Sequence, residues 1–266
     1  MTFSTKNTAI IPAPEIWIAR LDYLRTYRSC LQNLLSSAEQ VRGQRYLQRD
    51  DRDRYLGGRA LVKLAVAKMC SILPGEISII TAATGKPSVN FIKENIVAPA
   101  ISISHAGNLV VVALQYGADI GVDVELFHHD VNLDDLMGVV CSSEEIAEIN
   151  ESVSKNRAQK FYEFWVLKEA YLKATGEGLS ADAQRLVFSV DTASKVRLLK
   201  NLDSDNAGDW NFLLRQYDEQ HVIALASRRD QSRNAADCER EPTQNISTFM
   251  DALPLFREYY SGKTFD

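Results

Sequence analysis

Residues 120–125 read Ile120-Gly121-Val122-Asp123-Val124-Glu125, a run in which two valines alternate with a glycine and two acidic residues. Because successive side chains of a β-strand point to opposite faces, this pattern predicts a strand with one apolar face. Asp123 and Glu125 share the other face, separated by roughly 7 Å along the chain. Two carboxylates so placed can form half of a site for a hard cation, although a solvent-facing strand edge also explains them.

A second stretch, Phe164-Trp165-Val166-Leu167-Lys168-Glu169-Ala170-Tyr171-Leu172-Lys173-Ala174-Thr175-Gly176, has helical spacing. Trp165, Glu169, Leu172 and Lys173 fall at i, i+4, i+7 and i+8 and therefore share one face. A Glu-to-Lys pair at this spacing is common on exposed helices, where it contributes a few tenths of a kcal/mol. The large apolar residues on the same face favour partial burial instead, and a charged pair in a partly buried stripe needs a partner.

Further patterns predict elements on both sides of these stretches. Strands are predicted over 16–18, 77–80, 101–104, 109–114, 186–190, 212–217 and 221–226. Long helices are predicted over 54–69 and over 157–174, the second ending at Gly176, and Ser-x-x-Glu capping boxes at 36–39 and 142–145 open two more helical regions. Residues 228–244 are polar and predict a linker, and Phe249, Met250 and Leu253 predict a last short helix. No internal repeat is evident.

Two short motifs carry further candidate residues. Ser104 and His105 lie where a predicted strand ends, so their side chains can either point into a cleft or serve the structure alone. Gly85-Lys86-Pro87 predicts a turn that presents one lysine. Neither a GxGxxG nor a Walker A pattern is present, so any phosphate site must be built from discrete cations and a metal.

Composition limits the class of protein. The chain has 266 residues, 45% of them hydrophobic, which is enough for one large domain or two smaller ones. A net charge of -5 argues against broad binding to nucleic acid or to anionic lipid. Four scattered cysteines without a CxxC pair indicate neither a zinc site nor a disulfide framework, and they fit the cytoplasm. No apolar run approaches the roughly 20 residues of a membrane span.

Taken in order, these motifs resemble the 4'-phosphopantetheinyl transferase superfamily, in particular its large monomeric type that activates surfactin synthetase and similar assembly lines. The resemblance covers about residues 40–190. Its most specific parts are the Gly-x-Asp-x-Glu strand at 121–125 and the Trp-x-x-Lys-Glu-Ala-x-x-Lys helix at 165–173.

The resemblance implies an α+β fold of two similar α/β subdomains in a pseudo-twofold arrangement, with coenzyme A in the cleft between them. The expected segments are 1–118, 119–230 with the metal site, and a C-terminal extension, 231–266. Mg²⁺ would be held by Asp123, Glu125 and Glu169. Basic and polar side chains would bind coenzyme A: Lys168 and Lys173 at the pyrophosphate, and Arg54, Lys86, Ser104 and His105 at the adenosine end with its 3'-phosphate.

The implied reaction moves the phosphopantetheine arm of coenzyme A onto a serine of an apo acyl or peptidyl carrier protein and releases 3',5'-ADP. Asp123 would help hold the metal, Glu169 would be the base for the serine proton, and Lys173 would stabilise the leaving phosphate. Two alternatives stay open at this point. One is a catalytically silent coenzyme A or carrier-protein binding module, and the other is a transferase acting on a different nucleotide.

Overall fold

The structure is a computed structural model, and it describes residues 13–128, 132–152, 156–178, 182–191, 193–201, 209–228 and 248–260. The strands in these ranges are β1 Glu15–Arg20, β2 Ile77–Thr81, β3 Pro87–Phe91, β4 Ala100–Ala106, β5 Leu109–Gln115, β6 Ile120–Leu126, β7 Val187–Val190, β8 Val196–Lys200, β9 Trp210–Gln216, β10 His221–Arg228 and β11 Thr248–Asp251. The α-helices are α1 Leu21–Thr26, α2 Arg28–Asn33, α3 Ser37–Gln44, α4 Arg49–Cys70, α5 Leu133–Val140, α6 Ser143–Glu151, α7 Arg157–Thr175 and α8 Leu253–Tyr260.

Two central sheets organise these elements. One has the strand order β11-β1-β5-β4, and the other has the order β6-β10-β9, while β2-β3 and β7-β8 form separate hairpins. Helix α4 packs on the first sheet, where Leu61, Leu64 and Ala65 are fully buried. Helix α7 packs on the second, against β6 and β10. The predicted α+β class with two α/β subdomains is confirmed.

The same order of elements occurs twice. A strand, a capped short helix, a long helix, a hairpin and a strand pair follow one another as β1, α3, α4, β2-β3, β4-β5 and again as β6, α6, α7, β7-β8, β9-β10. Both predicted capping boxes are present, at Ser36–Glu39 and Ser142–Glu145. No repeat was predicted from the sequence, because the two halves share the order of their elements and their helix caps but little amino-acid sequence.

A buried lysine of each long helix completes the correspondence. Lys63 of α4 donates to the carbonyl of Leu34 at 2.7 Å and pairs with Glu39 at 3.0 Å. Lys168 of α7 donates to the carbonyl of Val140 at 2.8 Å and pairs with Glu145 at 2.6 Å. Leu34 and Val140 each lie two residues before the serine of their capping box. Each long helix is therefore tied to its short helix by the same charged contact.

Glycine at position 121 lets α7 approach β6 closely. A Cβ atom built there would lie 1.9 Å from the carbonyl oxygen of Ala170 and 2.5 Å from the nitrogen of Ala174. Gly121 shares a strand face with Asp123 and Glu125, since the three alternate along β6. That face of β6 therefore turns its two carboxylates toward α7.

Several boundaries differ from the predictions for local reasons. The helix predicted over 54–69 begins at Arg49, where Asp50 and Asp51 in its first turn favour a helix start. Strand β3 begins with Pro87, which weakens the strand signal, and α1, α2 and α5 are too short to show a clear period.

The C-terminal prediction is wrong at Phe249 and Met250. They lie in β11 rather than in a helix, because they pair with Ile16 and Trp17 of β1, and the helix begins only at Leu253. The segments 1–118, 119–230 and 231–266 remain predictions as domain boundaries. Among the described residues, no helix has the length and apolar character needed to cross a membrane.

Candidate active site

The acidic face of β6 meets α7 at the centre of the candidate site. Asp123 is 3% exposed, and Glu125 and Glu169 are half-buried. Gly121 has no side chain and therefore lets α7 lie close to β6. Helical spacing places Glu169 and Lys173 one turn apart on the side of α7 that faces this strand. The structure thus brings together the strand carboxylates and the two helix residues that the sequence singled out.

The two carboxylate oxygens of Asp123 differ in their hydrogen-bond partners. Its Oδ1 accepts a hydrogen bond from Ser104 Oγ at 2.7 Å and an ion-paired hydrogen bond from Lys173 Nζ at 2.6 Å. Its Oδ2 is also buried but has no hydrogen-bond partner among the described residues. A buried carboxylate oxygen without a donor is costly, and a bound cation would offset that cost.

The neighbouring carboxyl groups have raised pKa values. Burial, and then the charge of Asp123, raise the pKa of Glu125 to about 8, with a further contribution from Glu169 and an opposing one from Lys173. Burial and Asp123 likewise raise the pKa of Glu169 to about 7, against the effect of Lys173. Raised pKa values of this kind are expected where three acidic groups lie close together with too little positive charge beside them.

The donor set fits a hard divalent cation such as Mg²⁺, which prefers carboxylate oxygens. The described residues contain no ready-made group of three acidic, histidine or cysteine side chains close enough to enclose an ion. Lys173 instead neutralises Asp123 directly. The residues that would hold the ion are Asp123, Glu125 and Glu169.

Ser104 lies in a different environment from the one the resemblance implied. It is 7% exposed, and its hydroxyl contacts Asp123, Lys173 and the backbone nitrogen of Val124. With one proton to donate and two lone pairs to accept, the hydroxyl is fully used by these contacts. Ser104 thus belongs to the carboxylate cluster in this structure, and its predicted contact with the adenosine end stays a prediction.

His105 lies near the end of β4, and Arg54 holds the turn that follows this strand. Arg54 of α4 donates to the carbonyl of Gly107 and to Asp51. The side chain of His105 is exposed, yet partial desolvation and then the charge of Arg54 lower its pKa, and Lys173 adds to the effect. Arg54 and Lys173 thus place positive charge near His105, while Asp51, the partner of Arg54, acts against them. Binding of the adenosine end by Arg54 and His105 stays a prediction.

Lys86 bridges the two halves at the end of α7. From the turn between β2 and β3, its ammonium donates to the carbonyl of Ala174 and pairs with Asp119 at 3.3 Å. A cation here also complements the negative end of the helix dipole. Its predicted contact with the adenosine end is likewise a prediction still.

Lys168 requires a correction. Its side chain is 1% exposed, and its ammonium is enclosed by Glu145 and by the carbonyls of Val140 and Ala183, at 2.6, 2.8 and 2.9 Å. A lysine so enclosed is not available to a pyrophosphate. The prediction failed because Lys168 is adjacent to Glu169 in the sequence but not in its surroundings. The two side chains point about 100° apart around the helix.

Two polar residues at the junction of the halves were not predicted from the sequence, and both make structural contacts there. Ser102 accepts a hydrogen bond from the backbone nitrogen of Val122 at 3.0 Å, and Asp119 is the partner of Lys86. The Ser-x-Ser spacing at 102–104, which places both hydroxyls on one strand face, was the available signal for the first. No local pattern identifies the second.

The fold and this cluster define a class: an α+β protein of two related halves with acidic and basic side chains gathered at their junction. A family model described as "4'-phosphopantetheinyl transferase, N-terminal" matches residues 17–116. A model of the 4'-phosphopantetheinyl transferase superfamily matches residues 119–226. Together they cover most of the chain, which belongs to the 4'-phosphopantetheinyl transferase superfamily.

Individual relatives agree with this assignment. A Synechocystis sp. protein provisionally named a 4'-phosphopantetheinyl transferase is 29% identical over 249 residues, which are 93% of this chain and 96% of its own length. A phosphopantetheinyl transferase of Thraustochytrium sp. is 29% identical over 244 residues, 86% of this chain and 82% of its own. The 4'-phosphopantetheinyl transferase HetI of Nostoc sp. is 25% identical over 214 residues, 80% of this chain and 86% of its own.

Proposed function

We propose that Asp123, Glu125 and Glu169 hold Mg²⁺ in this 4'-phosphopantetheinyl transferase. The observation that carries the proposal is the buried Oδ2 of Asp123, which has no hydrogen-bond partner among the described residues and lies beside two carboxyls of raised pKa. A divalent cation, when bound, supplies positive charge that stabilises the pyrophosphate as negative charge develops on it.

The enzyme transfers the 4'-phosphopantetheine arm of coenzyme A to a carrier-protein serine. The serine oxygen forms a bond to the β-phosphorus, and the bond from that phosphorus to the bridging oxygen breaks, so that 3',5'-ADP leaves. We assign the serine proton to Glu169. Without a bound metal, burial and the charge of Asp123 raise the pKa of this carboxyl to about 7. A bound cation would lower that pKa, so that Glu169 would be an ionised carboxylate able to take the proton near neutral pH.

Lys173 is the proposed partner of the leaving phosphate. Its ammonium rests on Asp123 and Ser104, and its side chain is 31% exposed, so it can exchange a carboxylate for a phosphate oxygen. Arg54, Lys86 and His105 are the proposed contacts of the adenosine end. The basic groups around the loop after β4 support this assignment.

We further propose that the protein acts as a monomer in the cytoplasm on an apo acyl or peptidyl carrier protein. A chain that carries both related halves can form the junction between them by itself, which supports the monomer. The net charge of -5 argues against nucleic acid and anionic lipid as partners.

The direct test is mass spectrometry of several apo carrier proteins incubated with the protein, coenzyme A and Mg²⁺. A mass increase of one phosphopantetheine group on the carrier is the expected result, and chelation of the metal should prevent it. A carrier that binds without gaining mass would instead indicate a silent binding module. Replacing coenzyme A by dephospho-coenzyme A tests whether the 3'-phosphate is needed, as it would not be for a transferase of another nucleotide.

The metal assignment predicts that Asp123→Ala and Glu169→Ala each abolish transfer while the protein stays folded. Both substitutions remove a proposed ligand, and loss of either leaves the pyrophosphate charge without its cation. Glu144→Ala is the control, because Glu144 is an exposed carboxylate paired with Lys200. Transfer rates and circular-dichroism melting curves of all three variants give the answer. Near-normal turnover in either site variant would refute the assignment.

A further inference from the structure

Two serine hydroxyls join the sheets of the two halves. Strand β4 is an edge strand of the first sheet, and β6 is an edge strand of the second. Ser102 Oγ accepts from the backbone nitrogen of Val122 at 3.0 Å, and Ser104 Oγ accepts from that of Val124 at 3.3 Å. The hydroxyls thus satisfy β6 amide groups that face a strand of the other sheet.

Only the second hydroxyl continues into the acidic cluster. Because Ser104 Oγ accepts from Val124 and from Lys173, at 3.3 and 3.0 Å, its proton is directed to Asp123 Oδ1 at 2.7 Å. This donor fixes which oxygen of Asp123 is engaged. The other oxygen, Oδ2, is then left as the available ligand.

We infer that Ser104 is a positioning residue for the metal centre: it orients the Asp123 carboxylate and holds Lys173 beside it. The inference rests on the proposed function and deepens it. Ser104 lies in the N-terminal half, whereas Asp123, Glu125 and Glu169 lie in the C-terminal half. The N-terminal half therefore contributes to the geometry of the metal centre through one hydroxyl.

Ser102→Ala and Ser104→Ala form a matched pair. Each substitution removes one buried hydroxyl that accepts from a β6 amide, so both should lower the melting temperature, Ser104→Ala at least as much as Ser102→Ala. Only Ser104→Ala also removes a hydrogen bond to Asp123 and an acceptor from Lys173. Groups that orient a metal ligand typically change metal affinity or activity by about 10–100-fold when they are removed.

The experiment titrates Mn²⁺ into wild type and both variants by calorimetry, with and without coenzyme A, and measures kcat and KM for coenzyme A with Mg²⁺. For Ser104→Ala we expect Mn²⁺ affinity and kcat to fall about tenfold or more, with KM for coenzyme A changed less than about threefold. Ser102→Ala should keep wild-type affinity and kcat. If Ser104→Ala does not fold, Ser104→Cys provides a weaker hydrogen-bonding group and should give an intermediate loss.

Three results would overturn the inference. Equal Mn²⁺ affinity in Ser104→Ala and Ser102→Ala would give Ser104 a structural role alone. A raised KM for coenzyme A with unchanged Mn²⁺ affinity would make Ser104 a substrate contact. Failure of wild type to bind Mn²⁺ would remove the metal centre and the inference with it. If wild type binds Mn²⁺ but transfers nothing to any carrier, the proposed function fails and the metal titration still decides the role of Ser104.

Discussion

Asp123 is where the competing charges of the site meet. One oxygen is held by a hydroxyl and an ammonium, and the other is buried without a donor among the described residues. Lys173 offsets one negative charge, while Glu125 and Glu169 respond to the remaining excess with raised pKa values. At this scale the site is a cluster with more acid than base, which a divalent cation would balance.

Lys173→Ala should lower kcat more than it weakens coenzyme A binding. The ammonium is proposed to act on the leaving phosphate, where charge develops only in the transition state, so its loss removes little ground-state affinity. Steady-state kinetics with calorimetry of coenzyme A binding separate the two effects. Lys160→Ala is the control, because Lys160 lies on the same helix but pairs with Glu148 and Glu163. A change in affinity alone would make Lys173 only a binding residue.

The raised pKa values of Glu125 and Glu169 predict how stability depends on pH. In the unfolded chain both groups lose their protons near the ordinary value of 4.5, whereas in the folded chain without metal they keep them until about 8 and about 7. The unfolded state therefore binds fewer protons over this range, and the free energy of unfolding should fall as pH rises from about 4.5 to about 8.

Melting curves in a chelator, compared with those of a Glu125→Gln/Glu169→Gln variant, measure this dependence. The double variant cannot ionise at these positions, so its melting temperature should fall less than that of wild type. Adding Mg²⁺ at pH 8 should raise the melting temperature of wild type only. Parallel curves for the two proteins would contradict the prediction.

At the scale of elements, α7 has two different charged faces. Glu169 and Lys173 face β6, whereas Lys168 is enclosed by Glu145 and the carbonyls of Val140 and Ala183. The second contact ties α7 to α6, and the matching contact of Lys63 ties α4 to α3. These buried pairs fix how each long helix lies on its sheet.

Lys168→Met and Lys63→Met should each destabilise the fold by about 3–5 kcal/mol, because each leaves a buried glutamate without its cation. Urea denaturation measures the loss, and Glu145→Gln/Lys168→Met should recover part of it. In that double variant, we expect KM for coenzyme A to stay near the wild-type value. A large rise in KM, absent from Glu39→Gln/Lys63→Met, would restore Lys168 as a phosphate contact.

At the scale of the whole molecule, the C-terminal segment completes the N-terminal half. Strand β11 pairs in parallel with β1, and Leu255 and Phe256 of α8 are buried in the core around α4. Residues far apart in the sequence thus share one core. This segment contacts the half that is remote from it along the chain.

Phe256→Ala should lower the free energy of unfolding by about 3–5 kcal/mol, because it removes a large side chain that is 1% exposed. Leu47→Ala is the control, since Leu47 is 99% exposed and its removal creates no cavity. Chemical denaturation of both variants tests the difference. Equal stabilities would mean that the C-terminal helix does not contribute to the N-terminal core.

Local patterns predicted the elements with strong periodicity or caps. The alternating residues of β6, the stripe of α7 and both capping boxes are where the sequence indicated. Phe249 and Met250 were assigned wrongly, because their strand exists only by pairing with β1. The internal duplication was not predicted from the sequence for a similar reason. Lys63 and Lys168 correspond through their contacts and not through a shared sequence motif.

The sequence by itself determined three features: the two acidic residues on one face of β6, the helix that carries Glu169 and Lys173, and the superfamily. Each of them depends on residue types at fixed spacings along one strand and one helix. The tertiary structure alone decided that Lys168 is buried, that Ser104 joins the acidic cluster, and that one oxygen of Asp123 has no donor among the described residues. A side chain's partners depend on which elements pack against it, and spacing within one element does not contain that information.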